Sequence, residues 1–302
     1  MTISGSAAEY IFMVVICFSR WFFKMTYSKL VSPVLKWVGG KRQLLPDIRK
    51  YIPQDITTYY EPFIGGGAVL FDIQPSKAVV NDINHELINL YQVVKDDVEA
   101  LIQDLSKHKN ESDYFYELRA WDRDAAIYAK RSNIERASRV LYLNKTCYNG
   151  LFRVNQSGQF NTPFGRYKNP NIENAITLRA VSKFFNESDV EFRNTDFEGA
   201  VRGCQQGDFI YFDPPYDPVS DSANFTGYAQ GGFGRAEQVR LKELCDKLNE
   251  TGVKFLLSNA ATEFIIDLYK EYNIEIIQAK RAINSNPANR GVVDEVLIRN
   301  YE

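Results

Sequence analysis

Two stretches of the chain run from a short apolar segment into a turn of glycine or acid and then into a helical pattern. Residues 57–62 (TTYYEP) lead into the glycine turn 63–67 (FIGGG) and a helix over Ala68–Ile73. Residues 77–81 (KAVVN) end at Asp82, before a run over 84–97 in which Leu87, Ile88, Tyr91 and Val94 share one helical face. Residues 209–212 (FIYF) run into Asp213, and 253–257 (VKFLL) end in Ser258-Asn259; 274–277 and 295–298 read as late strands. Apolar strands alternating with amphipathic helices dictate an α/β fold, a mostly parallel sheet covered on both faces.

The rhythm breaks in the middle. Residues 85–148 are helical and charged, and 153–165 (RVNQSGQFNTPFG) read as a hairpin turning at Ser157-Gly158. The expected organisation is a split catalytic domain, 32–84 and 171–302, carrying an inserted segment, 85–170. Residues 217–234, rich in Gly, Ser, Asn and Asp, read as a mobile loop beside a site. Residues 1–31 are expected to lie outside the fold as a leader. In the run 10–23, 12 of 14 residues are apolar, but Ser19-Arg20 interrupt it. It falls short of the roughly 20 residues a membrane span needs. Only Glu9 precedes it as a charge and bulky Trp21-Phe22-Phe23 follow, which does not suit a secretory signal. Met25 opens a more ordinary start.

Lys and Arg number 36 against 38 Asp and Glu, a formal charge of −2 over 302 residues. Bulk charge therefore cannot hold this chain to nucleic acid, though a local basic patch can. Residues 131–168 contain Arg131, Arg136, Arg139, Lys145, Arg153, Arg166 and Lys168 against one acid, Glu135. That segment carries +6, where a phosphate backbone would dock. The competing reading is a solvated helix face with an Arg131–Glu135 pair. Four cysteines stand far apart without a CxxC, and there are two histidines, His85 and His108, read as partly exposed helix positions. A Cys/His zinc site and a His-based triad are both disfavoured, no metal is expected, and the thiols read as free in a reducing, cytoplasmic compartment.

Four constellations carry chemistry. Glu61-Pro-Phe63-Ile-Gly65-Gly-Gly67 follows a strand and opens a helix, where the backbone can approach a ligand closely; a tight strand–helix turn is the plainer reading. The spacing is not GxGxxG, which disfavours a nicotinamide or flavin. Asp82, ending the next strand, can accept hydrogen bonds from ribose hydroxyls, or it or Asn84 can cap the following helix. Lys36-Trp37-Val38-Gly39-Gly40-Lys41 offers amides and an ammonium to a carboxylate or phosphate, with Trp37 able to cover an aromatic ring; alone it would read as a surface turn. Asp213-Pro214-Pro215-Tyr216 is the sharpest. Two prolines fix the backbone and remove competing N–H donors. The Asp213 carboxylate and the Pro214 carbonyl can take both hydrogens of a planar amino group while Tyr216 stacks on its ring.

These motifs, in this order, resemble the Dam-type DNA adenine methyltransferases over about residues 33–301. The resemblance rests on KWVGGKRQLLP, YYEPFIGGGAVLFD, NDINHELINLY, YNGLFRVNQSGQFNTPFGRYK and YFDPPY. It implies the S-adenosylmethionine-dependent methyltransferase fold with an inserted DNA-recognition domain of helices and a β-hairpin. It further implies methyl transfer to the amino group of a flipped adenine, with double-stranded DNA as partner and GATC as target. Trp37, Gly39, Gly40, Lys41, Glu61, Phe63, Gly65 and Gly67 would lie at the methyl donor. Asp82 would hold its ribose, Asp196 and Phe197 would flank its adenine, and Asp213 would sit between donor and target amine. Lys36, Lys145, Tyr148, Asn149, Leu151, Arg153, Asn155, Pro163, Arg166 and Lys168 would face DNA. Glu237 departs from the family pattern, standing where Asp is common before a QxRL helix. The rivals are a catalytically silent DNA-binding regulator of this fold, a methyltransferase acting on another DNA word or on RNA, and a nicotinamide-dependent oxidoreductase.

Overall fold

A computed structural model describes residues 27–37, 39–218, 232–280 and 292–302. The strands are β1 (Tyr59–Glu61), β2 (Lys77–Asn81), β3 (Asp189–Arg193), β4 (Phe209–Phe212), β5 (Lys254–Ala260), β6 (Asn273–Lys280) and β7 (Val292–Arg299). They form one sheet in the order β3-β2-β1-β4-β5-β7-β6. Strands β1 to β5 pair in parallel, and β7 runs antiparallel between β5 and β6. The strands expected from the sequence are all present. No expectation covered β3, an edge strand reading DVEFR, whose alternating charges hide its apolar periodicity.

Side-chain alternation divides the core in two. Tyr59, Val80, Tyr211, Leu256 and Leu297 point to one face, and Tyr60, Val79, Ile210, Phe212, Leu257 and Ile298 to the other. The helices are α1 (Leu45–Tyr51), α2 (Ala68–Ile73), α3 (His85–Asp96), α4 (Val98–Leu105), α5 (Ser112–Ala120), α6 (Asn133–Thr146), α7 (Ala175–Glu187), α8 (Phe197–Ala200), α9 (Arg235–Glu250) and α10 (Glu263–Leu268), with one further helical turn, Ala125–Tyr128, between α5 and α6. Helices α1, α2, α3 and α7 contribute buried side chains to the first face; α9 and α10 contribute to the second. Asn84 caps α3, its side chain accepting from the Glu86 and Leu87 amides.

Two expected boundaries shift. Val31 is buried in the first core, and Ser28 exchanges backbone hydrogen bonds with the Gln74 side chain at 3.0 and 2.9 Å. Residues 28–31 therefore belong to the fold, and the leader reading cannot extend to 31. The apolar run 10–23 lies outside the described residues. The inserted segment also does not begin at 85 as a separate body. Leu87, Leu90, Tyr91 and Val94 of α3 bury against the sheet and α7, in one core with Phe115, Tyr142, Phe152 and Phe160 of the insertion. A parallel crossover from β2 to β3 must cover the sheet, and α3 does so.

His108, expected as a partly exposed helix position, is half-buried and lies just past the end of α4. Its side chain is enclosed, with Nδ1 2.7 Å from Tyr114 Oη and Nε2 2.8 Å from Ser138 Oγ, and burial lowers its pKa. Of the expected loop 217–234, residues 219–231 lie outside the described set. Among the described residues no helix is long and apolar enough to cross a membrane, and no group of three His, Cys, Asp or Glu converges as a metal site.

Candidate active site

Strands β1 and β4 are neighbours, yet β1 continues outward to β2 and β4 outward to β5. Their carboxyl ends form the topological switch point, where open α/β sheets bind ligands. The glycine turn leaves β1 there, and Asp213 leaves β4 beside it. The two sharpest motifs in the sequence thus meet because of strand order.

Lys41 joins them. Its Nζ lies 2.7 Å from Asp213 Oδ1, donates to the Gly39 carbonyl at 2.8 Å, and sits 4.5 Å from the Tyr216 ring centroid. Lys41 is 5% exposed, so this ammonium is a fixed part of the corner and not a solvated surface charge. Ser258 Oγ donates to the same Asp213 oxygen at 3.1 Å. Burial pushes the Asp213 carboxyl above the ordinary carboxylate range, and Lys41 and Ser258 pull it partly back. Tyr216 Oη donates to Glu295 Oε2 at 2.8 Å, which fixes the far end of the ring.

Asp82 and Asn84 divide the two roles open to them. Asn84 caps the helix, while Asp82 accepts from the Gly65 amide at 3.1 Å and the Asn84 amide at 2.9 Å. Burial raises the Asp82 carboxyl to about 6. Ile83 beside it is an apolar side chain left 60% exposed. Asp196 caps α8 and binds Arg240. Phe63, Phe197 and Phe233 gather with centroids 5.7 to 5.9 Å apart, and the Arg240 guanidinium lies 4.3 Å from the Phe197 ring. Glu237 lies inside α9, which begins at Arg235, and pairs with Arg240 at 2.6 Å.

Two candidates look the other way. Glu61 is buried beneath the glycine turn, accepting from Tyr59 Oη at 2.8 Å and the Leu70 amide at 3.1 Å. Trp37 stacks on Phe152 at 4.8 Å, so the ring it covers belongs to the insertion. A Cβ on Gly65 (φ +46) would stand 2.7 Å from Trp37 Cδ1. The close approach of Trp37 thus requires glycine at 65. Gly67 (φ +69) opens α2 from the left-handed region. Gly39 and Gly40 form the exposed turn before Lys41.

Sequence reading missed the buried polar groups that tie these loops together. Asn81 binds the Pro62 and Thr195 carbonyls at 2.9 and 3.0 Å, Tyr91 Oη binds the Gly65 carbonyl at 2.7 Å, and Asn144 straps Lys36 to Gly150. A polar residue at a strand or helix position gives no period of its own, so only its partners reveal it.

The recognition candidates assemble around the end of α6. The Tyr148 amide donates to the Pro163 carbonyl and the Gly165 amide to the Thr146 carbonyl, both at 2.8 Å, which joins the two arms. Tyr148 is 56% exposed at this surface, beside exposed Asn149, Pro163, Arg166 and Lys168 and half-buried Leu151. Exposed Lys36 lies 5.9 Å from the Tyr167 ring centroid; half-buried Lys145 is held below the usual lysine range by burial and then by the Lys36 charge. Arg153 Nε donates to Asn161 Oδ1 at 2.7 Å, which sets the guanidinium plane. Gly158 turns the hairpin as expected, with φ +75.

Three of the seven cations in 131–168 are paired within the protein. Arg131 pairs with Glu135 at 3.0 Å, Arg136 with Glu86 at 2.7 Å, and buried Arg139 with Asp122 at 2.8 Å. These three arginines knit helices together, and the cations left for a backbone are those at and after the end of α6. Asn155 is also spent: its Oδ1 accepts from the Ser157 and Gln159 amides and its Nδ2 binds Gln159, an Asx turn that forms the hairpin tip.

The strand order with antiparallel β7 is that of the S-adenosylmethionine-dependent methyltransferase fold. Residues 37–283 match the D12 class N6 adenine-specific DNA methyltransferases, and the chain belongs to that family. It is 44% identical over 273 residues to the type II methyltransferase M1.LlaDCHI of Lactococcus lactis subsp. cremoris, covering 90% of this chain and 96% of the relative. It is 37% identical to the DNA adenine methylase of Serratia marcescens over 87% of this chain and 96% of the relative. Identity to the DNA adenine methylase of Escherichia coli K12 is 33%, over 87% and 93%. The protein is a DNA adenine methyltransferase.

Proposed function

We propose that this enzyme methylates the exocyclic amino group of an adenine turned out of duplex DNA, in the word GATC, with S-adenosylmethionine as donor. The observation that carries this reading is the Asp213 carboxylate at the switch point, clamped on one oxygen by Lys41 and Ser258 and flanked by the Tyr216 ring. The choice of GATC rests on the resemblance of the hairpin segment.

The donor set around the glycine turn fits S-adenosylmethionine. Asp82 offers a carboxylate to ribose hydroxyls, Phe63 offers an apolar face to an adenine with buried Phe197 packed behind it, and Asp196 caps α8 beside them. When bound, the donor would supply a methyl group on a positively charged sulfur: as the amine nitrogen bonds to that carbon the carbon–sulfur bond would break, a neutral thioether would leave, and the nitrogen would release one proton to solvent. The protein positions the acceptor. Asp213 accepts one amine hydrogen and the Pro214 carbonyl the other, which draws the lone pair out of conjugation with the ring. Tyr216 stacks on the base and repays part of the few kcal/mol of unstacking. Catalysis of this kind is positioning and electrostatics. Tyr148 and Arg153 fill and read the duplex left behind.

The test is a digestion assay on DNA treated with the enzyme and S-adenosylmethionine. Nucleases that are blocked by methylated GATC should fail, and those requiring it should cut. Labelled methyl incorporated without either change would remove the GATC assignment. Near-normal turnover by Asp213→Ala would remove the catalytic one.

A further inference from the structure

Asp213 leaves the sheet where β4 and β5 run side by side, with Phe212 opposite Leu257. The next two residues of β5 are Ser258 and Asn259, both fully buried, and as neighbours on a strand they point to opposite faces. Neither was singled out for a role by the family motifs. Each grips a different half of the Asp213–Tyr216 corner.

On one face, Ser258 Oγ lies 3.0 Å from Tyr211 Oη and donates to Asp213 Oδ1 at 3.1 Å. With Tyr211 donating inward, Ser258 is left with its proton for Asp213. Lys41 binds the same oxygen, so two donors saturate Oδ1 and turn the carboxylate to present Oδ2. On the other face, Asn259 Oδ1 accepts the Asp217 amide at 3.0 Å, and its Nδ2 donates to Gln238 Oε1 at 3.0 Å. Gln238 in turn donates to the Pro215 carbonyl at 2.8 Å. Backbone groups on both sides of Tyr216 are thereby fixed to one buried amide pair. Asp217 itself is anchored by Thr262 and Arg235.

We infer that Ser258 and Asn259, with Gln238, are positioning residues for methyl transfer: Ser258 sets the plane of the Asp213 carboxylate, and the Asn259–Gln238 pair sets the backbone that carries Tyr216. This rests on the reading of Asp213 as the acceptor of the amine hydrogen. The groups that face Asp213 are Lys41 before α1, Glu61 and Tyr59 on β1, Tyr211 on β4, Ser258 on β5 and Tyr216 beyond β4, whose hydroxyl binds Glu295 of β7. Among them Lys41 and Ser258 favour the ionised carboxylate, so removal of Ser258 makes ionisation harder.

The experiment compares Ser258→Ala, Ser258→Thr, Tyr211→Phe, Gln238→Met and Asp213→Ala in full-length enzyme. It measures kcat and KM for donor and duplex across pH, with donor titrations by calorimetry to verify folding. Ser258→Ala should lose about 10- to 100-fold in kcat, the scale of a small misplacement of reacting groups. Its KM values should stay within about twofold of the parent, and the acid limb of kcat should move to higher pH. Ser258→Thr, which keeps the hydroxyl, should recover most of the loss. Tyr211→Phe and Gln238→Met should lower kcat less, again without a change in KM, and they carry the test if Ser258→Ala fails to bind donor. Unchanged kcat and pH profile in the folded variants overturns the inference, as does Ser258→Thr as impaired as Ser258→Ala. If Asp213→Ala is inactive in the same series, the site reading survives that failure; if Asp213→Ala is active, the reading falls first.

Discussion

Lys41 Nζ and Asp213 Oδ1 are 2.7 Å apart, across the gap between the turn before α1 and the end of β4. The ammonium is the nearest positive charge to a carboxyl that burial drives toward its neutral form. Lys41→Met removes that counterweight and raises the Asp213 pKa further. Below the raised pKa the carboxyl is protonated and accepts the amine hydrogen poorly, so the acid limb of kcat should move to higher pH. A pH–rate profile in donor and DNA excess checks it; an unmoved acid limb would separate Lys41 from the carboxylate.

Glu61 makes stability depend on pH. Burial pushes its carboxyl up to about 8 in the folded protein, against about 4.3 for an unfolded chain. Between these values the folded state holds a proton that the unfolded state has lost. The contribution is present in full below the lower value, declines as pH rises, and is gone above about 8. Glu61→Gln keeps acceptors for Tyr59 and the Leu70 amide without the ionisation. It should unfold at the same denaturant concentration as the parent near pH 4 and be the more stable by on the order of 1–3 kcal/mol at pH 9. Urea denaturation at both pH values measures this.

The arginines and lysines of the insertion should separate into three groups. Lys168→Ala should weaken binding to every duplex alike and reduce the salt slope by about 1. Arg153→Ala should cost ~1–3 kcal/mol on the preferred word and narrow its advantage over altered words. Arg139→Ala should leave the salt slope unchanged and destabilise the fold by on the order of 1–3 kcal/mol, because the Leu118 and Arg119 carbonyls lose their donor and Asp122 keeps only Arg123, at 3.3 Å, as a charged partner. Fluorescence titrations at several salt concentrations, with parallel unfolding curves, distinguish the three.

Gly65→Ala tests the contact between the glycine turn and Trp37. The added methyl would stand 2.7 Å from Trp37 Cδ1 on a backbone at φ +46. A loss of ~1–3 kcal/mol is expected from the overpacking. Trp37→Leu in the same background should recover part of it, and a double-mutant cycle in urea reads the coupling.

The local elements were legible in the chain because they obey short periods. The apolar runs KAVVN and FIYF, the amphipathic face of α3 and the glycine turn each declare themselves within a dozen residues. The Asp213-Pro-Pro-Tyr216 corner was legible for a related reason: two prolines constrain the backbone wherever they stand. Tertiary structure decided what each group faces. Glu61 and Gly65 belong to the same motif, yet one accepts from Tyr59 in the core and the other admits Trp37. Seven residues gave the 131–168 segment its positive sign, but Arg131, Arg136 and Arg139 spend their charge on Glu135, Glu86 and Asp122, one of which lies far outside it in sequence. Sequence order sets backbone conformation through neighbours along the chain; a charge or a buried amide is satisfied by whatever the packing brings within about 3 Å, and that is fixed only when the sheet closes.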